Sequence, residues 1–268
     1  LPDLAAGCSM ADMAVLDELE VCWDELSEMG INDVVPVTYM NSAASIKAFC
    51  GQHGGTVCTS SNAVATFQWA WNRGVRILFL PDQHLGRNTA FGMGVPLQQM
   101  CVWDPNVTWG GLEPSELNSA RMILWKGHCS VHTKFTVEQI ERLRASHPDI
   151  RIISHPECTL EVIQASDEVG STSHIIRQVT ESPAGSIWGV GTEIHLVNRL
   201  AQELAPERTV MTLDALGCLC STMYRVSPNH LCWVLEGLVN GEVRNQVSVP
   251  DDHKRWTRVA LDRMLSIQ

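Results

Sequence analysis

The sequence predicts an α/β fold built on parallel sheets. Apolar runs of strand length alternate with amphipathic runs of helix length along almost the whole chain, and this alternation is typical of parallel sheets covered by helices. Polar side chains follow the end of one predicted strand after another, which is where ligands bind in open parallel sheets. Hydrophobic residues make up 45% of the 268 positions, so the chain can bury a sizeable core.

Eight apolar runs predict strands. Most are rich in valine and isoleucine, which favour extended backbone. In chain order the runs are VVPVTYM (34–40), TVCT (56–59), RILFLP (76–81), RMILW (121–125), IRIIS (150–154), SIWGVG (186–191), TVMTL (209–213) and QVSV (246–249).

Six amphipathic runs predict the main helices, over residues 9–29, 61–74, 136–146, 193–204, 228–239 and 253–267. Two of them carry clear start signals. Thr136 and Gln139 have the spacing of a capping box, and Ser227 precedes Pro228 at a first helical position. The irregular segment 103–116 predicts a surface loop.

Short polar motifs follow seven strand ends, and we interpret them as the lining of one shared pocket. They fall into two groups of three strand–motif–helix units on either side of KGHC, which suggests two similar domains meeting there. In chain order the motifs are YMNS (39–42), TSSN (59–62), PDQHLG (81–86), KGHCSVH (126–132), SHPEC (154–158), GSTS (170–173) and GTE (191–193).

Charge and composition exclude several classes of protein. The formal net charge is −11 and no basic run occurs, which argues against a nucleic-acid partner. No apolar run has the length of a membrane span, and the first residues lack a basic signal-peptide region. The ten cysteines are irregularly spaced without a CxxC pair. We therefore predict reduced thiols in a cytoplasmic protein.

Four of these cysteines are candidate metal ligands from their positions alone. Cys8 lies where a glycine turn leads into a predicted helix start, and we expect this position to lower the pKa of its thiol. Cys129, Cys218 and Cys220 lie at or beyond strand ends. Zinc could be bound by Cys8, Cys129, Cys220 and His132, but for each thiol taken singly the spacing favours a buried structural cysteine over a metal ligand.

The motifs AGCSMADM, YMNSAASIKA, TSSNAV, PDQHLGRNTA, KGHCSVH, HPEC, GST and GTE together resemble the series found in the quinolinate synthase (NadA) family. The resemblance implies an enzyme, a transferase that condenses and dehydrates. Its substrates would be iminoaspartate and dihydroxyacetone phosphate, and its product quinolinate for de novo NAD biosynthesis. It also implies L-aspartate oxidase or aspartate dehydrogenase as a functional neighbour.

The resemblance further implies a cofactor and a set of site residues. Three cysteines from separate loops would hold a 4Fe–4S cluster with one open iron that acts as a Lewis acid; the matching residues are Cys8, Cys129 and Cys220, although Cys218 is close enough to leave a choice. The implied catalytic residues are His132, His155, Glu157 and Tyr39. The implied substrate-binding residues are Tyr39, Asn41, Ser60, His155, Glu157, Ser171 and Thr172.

The family's fold implies three similar three-layer α/β domains around a central site, and the family's chain starts well before AGCSMAD. We therefore expect the first domain to be incomplete here. The expected boundaries are 1–8 (end of domain 1), 9–128 (domain 2), 129–219 (domain 3) and 220–268 (return to domain 1). The helices around HLCWVLEGL and WTRVALDRML should then cover a sheet that lies before Leu1.

Two rival functions remain open from the sequence. One is a non-catalytic iron–sulfur protein that senses redox state. The other is a zinc hydrolase with cysteine and histidine ligands. Anaerobic absorption spectroscopy separates zinc from iron–sulfur, and detection of quinolinate separates an enzyme from a sensor.

Overall fold

A computed structural model describes residues 1–267, and it confirms the α/β class with two all-parallel sheets. The first sheet has the order β2-β1-β3-β5-β4, and the second has the order β7-β6-β8-β9. The strands are β1 Val34–Tyr39, β2 Thr56–Cys58, β3 Arg76–Leu80, β4 Met100–Trp103, β5 Met122–Trp125, β6 Arg151–Ser154, β7 Glu168–Val169, β8 Ile187–Gly191 and β9 Thr209–Thr212.

Helices connect the parallel strands and cover both faces of the sheets, as crossover connections require. They are α1 Leu16–Glu28, α2 Ala44–Gln52, α3 Ala63–Trp71, α4 Gln83–Gly92, α5 Pro114–Ser119, α6 Val137–Ser146, α7 Leu160–Ala165, α8 Thr172–Glu181, α9 Ile194–Leu204, α10 Pro228–Val239 and α11 Asp251–Ser266. Among residues 1–267, no helix combines the length and apolar character needed to cross a membrane.

The first sheet separates two hydrophobic cores, so this part of the chain has three layers. Successive residues of β3 face opposite sides: Leu78 packs with α1 and α2 in one core, and Phe79 packs with α3 and α4 in the other. This period of two follows from the pleat of a strand. The second sheet is covered in the same way, with Ile152 and Ile153 of β6 in separate cores.

Seven of the eight apolar runs form strands, one run forms none, and β4 was missed; the short strand implied before GSTS is the two-residue β7. Residues 246–249 form no strand, because alternating apolar residues need a neighbouring strand with which to pair. The missed strand β4 pairs with β5 at the edge of the first sheet. The predicted surface loop 103–116 contains a short 3₁₀ turn, Thr108–Gly111, and the start of α5.

The two C-terminal helices differ in their packing. Helix α11 lies on α2 and β2 of the first sheet, where Thr257 Oγ1 donates to the Ala44 carbonyl at 2.9 Å and Arg263 Nη1 donates to the Gly51 carbonyl at 3.0 Å. This differs from the expectation that it covers a sheet before Leu1. Leu231 and Leu235 of α10 remain about half exposed.

Candidate functional site

The carboxyl ends of both sheets contribute to one site. Tyr39 is the last residue of β1, Asp82 follows β3, and Cys129 follows β5, all in the first sheet. Glu157 follows β6 of the second sheet, yet its charge adds to the rise that burial causes in the pKa values of Tyr39, Asp82 and Cys129. The two sheets therefore direct their carboxyl ends at a common centre, as ligand sites in parallel sheets require.

A buried cluster of two histidines and one glutamate forms the middle of this site. The rings of His132 and His155 stack with centroids 4.6 Å apart and planes inclined by 16°. His132 Nδ1 lies 2.9 Å from Glu157 Oε2, and His155 Nδ1 lies 3.8 Å from Glu157 Oε1. All three side chains are buried, so the carboxylate is within hydrogen-bond distance of one imidazole, that of His132, and lies beside the second.

Burial and charge set the ionisation of this cluster. Burial alone would raise the pKa of Glu157, but His155 and His132 outweigh it, and the pKa of the carboxyl falls below its ordinary value. Burial lowers the pKa of His155 to about 4 against the attraction of Glu157. His155 Nδ1 also accepts from the Glu157 backbone N–H at 3.4 Å. A neutral His155 therefore carries its proton on Nε2.

Tyr39 lies beside the same carboxylate. Burial raises the pKa of its hydroxyl well above the ordinary value, and the charge of Glu157 adds to the shift, while a hydrogen bond involving Ser60 opposes it. Tyr39 thus stays protonated and can donate a hydrogen bond to a bound anion. Asn41 is half-buried two residues further on.

The ten cysteines divide by their exposure, and none forms a disulfide in residues 1–267. Three thiols are neither sealed in a core nor fully exposed: Cys8, Cys129 and Cys220. Cys129 and Cys8 pack against one hydrophobic core, and Cys129 and Cys220 pack against another. Cys220 is near enough to Cys8 for its charge to add to the rise that burial causes in the pKa of the Cys8 thiol.

The expected lowering of the Cys8 pKa was wrong. Burial, with smaller contributions from Glu157 and Cys220, raises the pKa of this thiol to about 11. The segment that follows is a short 3₁₀ turn, Ser9–Met13, and its backbone hydrogen bond to Cys8 does not outweigh burial. Burial likewise raises the pKa of Cys129. These thiols would ionise only against a cationic centre, and a coordinated metal provides one.

Residues at two helix starts line one cavity of about 340 Å³. Helix α3 begins after Ser60 and Ser61, and α8 begins after Ser171, whose Oγ accepts from the His174 N–H at 3.4 Å. Backbone N–H groups at such positions favour anions. The cavity is lined by Ser60, Ser61, Val169, Gly170, Ser171, Ser173, His174 and Arg177; Thr172, the first residue of α8, is exposed.

Sequence reasoning missed two residues that support this site. Thr192 Oγ1 lies 3.3 Å from His132 Nε2, so it fixes the second nitrogen of that ring. Asn88 donates to the carbonyls of Pro156 and Cys158 at 2.8 and 2.7 Å, which joins α4 to the HPEC loop. The GTE and PDQHLGRN motifs contained both residues, but a motif does not reveal which loop it will contact.

Fold and site together define an α/β enzyme with a buried acid–base cluster beside candidate metal-binding thiols. Cys129, His132 and Glu157 could hold a metal ion, since their ligand atoms lie within 4.8 Å of one another. The family model "Quinolinate synthetase A protein" (NadA) matches residues 1–266. The chain belongs to this family.

Several curated relatives carry the name quinolinate synthase. The chain is 57% identical to the protein from Acidobacterium capsulatum, over 100% of this chain and 73% of the relative's length. Identity is 54% to the protein from Herpetosiphon aurantiacus, over 100% of this chain and 72% of that relative. It is 54% to the protein from Corynebacterium glutamicum, over 100% of this chain and 68% of that relative.

Proposed function

We propose that this protein is a quinolinate synthase, which condenses iminoaspartate with dihydroxyacetone phosphate to form quinolinate for NAD biosynthesis. The observation that carries the proposal is the buried cluster of His132, Glu157 and His155 beside the Cys129 thiol. Condensation and dehydration both require proton transfer, and these groups are the usual acids and bases of such steps. Family membership supports the same reaction.

We propose Cys8, Cys129 and Cys220 as the ligands of a 4Fe–4S cluster. Their intermediate exposure and shared neighbours support this choice over the buried Cys218, whose Sγ donates to Asp214 Oδ2 at 3.3 Å. Three thiolates leave one iron of a cubane open. When bound, the cluster would supply a Lewis acid for a substrate oxygen.

The residues of this chain would move the protons of the reaction. Glu157 is the candidate base, since its lowered pKa keeps it ionised and two imidazoles surround it. A neutral His155 can donate a hydrogen bond from Nε2 to a leaving hydroxyl, and the proton that Glu157 takes up can pass to His132 Nδ1, 2.9 Å from Oε2. Tyr39 would orient a substrate carboxylate as a hydrogen-bond donor, with Asn41 beside it.

Binding of the two anionic substrates is assigned to the helix starts. One substrate carries carboxylates and the other a phosphate, and Ser60 and Ser171, which stand before the two helix starts, line one cavity. The positive side chain of Arg177 lines the same space.

We further propose residues 9–128 and 129–219 as two similar domains, which the division into two sheets supports.

The cellular setting follows from the proposed reaction. Iminoaspartate is an imine and hydrolyses in water, so it has to be formed close to where it is used. An enzyme that oxidises aspartate, such as L-aspartate oxidase or aspartate dehydrogenase, would therefore work beside this one. We propose the cytoplasm as the compartment, since the ten free thiols suit a reducing environment.

The test is anaerobic purification followed by reconstitution with iron and sulfide. The proposal expects an iron–sulfur absorption band and quinolinate formed from iminoaspartate and dihydroxyacetone phosphate. Iron–sulfur absorption without quinolinate would favour a redox sensor, and a colourless protein without product would refute both.

A second candidate, a zinc hydrolase, is supported by the proximity of Cys129, His132 and Glu157. Cysteine, histidine and carboxylate are all zinc ligands. In this chain, however, Glu157 already contacts His132 at 2.9 Å, so a zinc ion would have to displace that bond. Metal analysis decides between the two: bound zinc with hydrolytic activity would favour the second candidate.

A further inference from the structure

Asp82 is a fully buried acid, with 0% of its surface exposed, and it lies directly after β3. It caps the N-terminus of α4, where its Oδ1 accepts from the N–H groups of His84 and Leu85 at 2.7 and 2.9 Å. Its other oxygen is not used for the helix. Oδ2 accepts from the backbone N–H of Cys129 at 3.1 Å.

Glu193 repeats this arrangement in the second sheet. It follows β8, is 8% exposed and caps α9, where its Oε2 accepts from the His195 N–H at 2.8 Å. Its Oε1 accepts from the backbone N–H of Cys220 at 3.3 Å. The same oxygen lies 2.8 Å from His195 Nδ1, which holds the carboxylate in place.

The choice of an acid at these two caps has a physical reason. A serine or threonine has a single oxygen, and at the starts of α6, α8 and α10 such residues bond only their own helix. A carboxylate has two accepting oxygens. It can therefore bond the helix with one and a second loop with the other.

We propose that Asp82 and Glu193 are positioning residues, which fix the backbones of Cys129 and Cys220 so that both thiols point at one centre. This inference rests on the proposed function, because it assigns the anchors to two of its three cluster cysteines. Each anchor ties a ligand loop to the rigid start of a helix. Hydrogen bonds to the residues that hold a metal orient these ligands, and their loss typically changes metal affinity.

The test uses Asp82→Asn and Glu193→Gln. Each amide keeps one carbonyl oxygen for the helix cap and replaces the other oxygen with an NH₂ group, which cannot accept the cysteine N–H. In the metal-free protein we expect amide hydrogen exchange at Cys129 to become at least about tenfold faster in Asp82→Asn, while exchange at Leu85 stays slow. Glu193→Gln should have the same effect at Cys220, with His195 unaffected.

The second measurement is iron retention after reconstitution, with a chelator competing for the metal. Loss of a hydrogen bond that orients a metal ligand predicts roughly 10–100-fold weaker retention in each variant. Thr136→Val is the matched control: it removes the cap of α6, whose side chain bonds Gln139 and no cysteine. This variant should change neither the hydrogen-exchange rate of the two cysteine amides nor the retention of iron.

The outcomes are distinct. Unchanged exchange at both cysteines, or acceleration spread equally over the whole chain, would overturn the anchoring role. If one variant does not fold, the other tests the same arrangement independently. Wild-type protein that binds no iron would refute the proposed cluster, whereas the exchange measurement on metal-free protein would still decide whether the anchors exist.

Discussion

Glu157 is the residue on which the proposed chemistry depends most directly, because it contacts both histidines and influences Tyr39. We expect Glu157→Gln to reduce quinolinate formation by roughly 10²–10⁴-fold, the usual contribution of a general acid or base. The amide has nearly the same shape but cannot take up a proton at neutral pH. Turnover of the reconstituted protein is the measurement, with iron content recorded in parallel.

The control for that variant is Glu161→Gln, on the exposed face of α7 in the same segment. It should leave both turnover and iron content unchanged. Near-normal turnover in Glu157→Gln would reduce this carboxylate to a structural role, and loss of iron in the same variant would place it among the metal ligands.

His84 should make stability depend on pH. Burial, together with the charges of Arg87 and His128, lowers its pKa to about 4, against a weaker attraction from Glu161. Arg87 Nη1 lies 3.3 Å from His84 Nδ1, which favours the neutral ring. Between pH 4 and the ordinary value near 6.5 the unfolded chain therefore binds more protons than the folded one.

It follows that His84 costs no stability above about pH 6.5 and reduces the free energy of unfolding as pH falls from there to about 4. Denaturant unfolding at several pH values should show a smaller decline in His84→Gln than in the wild type. Equal slopes for the two proteins over this interval would mean that His84 is accessible to protons in the folded state.

For single residues, the sequence predicted which residue types lie at the site better than it predicted their burial and their contacts. The motif KGHCSVH predicted that Cys129 and His132 would lie at a strand end, because the apolar run before it has strand character. It could not predict that burial raises the pKa of Cys8, since burial depends on chain segments far away. The anchors at Asp82 and Glu193 were equally hidden, because each bonds a residue at least 27 positions away.

Among the elements, α11 shows how one glycine permits a close helix contact. A Cβ placed on Gly51 of α2 would lie 2.1 Å from the Trp256 carbonyl oxygen of α11, which is far inside contact distance. Gly51→Ala should therefore push α11 away and lower the free energy of unfolding by about 1–3 kcal/mol, as overpacking does. Thermal or denaturant unfolding measures the change.

Gly92→Ala provides the matched control, since Gly92 ends α4 and nothing lies within 4 Å of its added Cβ. This variant should be neutral or slightly more stable, because alanine favours a helix over glycine. A Gly51→Ala protein as stable as this control would show that α11 does not pack closely on α2.

Elements with strong periodicity or apolar runs were predictable, and those that depend on pairing were not. The runs RILFL and RMILW are buried on both faces as β3 and β5, which explains their continuous apolar character. Strand β4 was missed because its fit depends on the open edge beside β5. Residues 246–249 had the right alternation but no strand next to them.

Over the whole molecule, the proposed cluster would join three segments that are far apart in sequence. Cys8 precedes the first sheet, Cys129 lies in the loop between the two sheets, and Cys220 follows the second. The order of parallel strands makes such a meeting possible, because it brings successive carboxyl ends to one side. A metal bound by all three would tie both sheets together, so its removal should destabilise the whole chain rather than one loop.

This leads to a prediction for four serine variants. Cys8→Ser, Cys129→Ser and Cys220→Ser should each lose most iron–sulfur absorption after anaerobic reconstitution, because a cubane with two thiolates is poorly held. Cys218→Ser should retain it, since Cys218 is 1% exposed and its thiol donates to Asp214. Chelation of iron from the wild type should lower its unfolding temperature and leave that of the three ligand variants unchanged.

Cys232→Ser on the exposed side of α10 is the control for the chemistry of reconstitution, since it removes a surface thiol that can bind iron nonspecifically. It should match the wild type in absorption and in the response to chelation. If Cys218→Ser loses iron and Cys220→Ser keeps it, the third cluster ligand would be Cys218 and not Cys220. Iron kept by all three ligand variants would refute the proposed cluster, and it would also argue against the group formed by Cys129, His132 and Glu157, because Cys129 belongs to both.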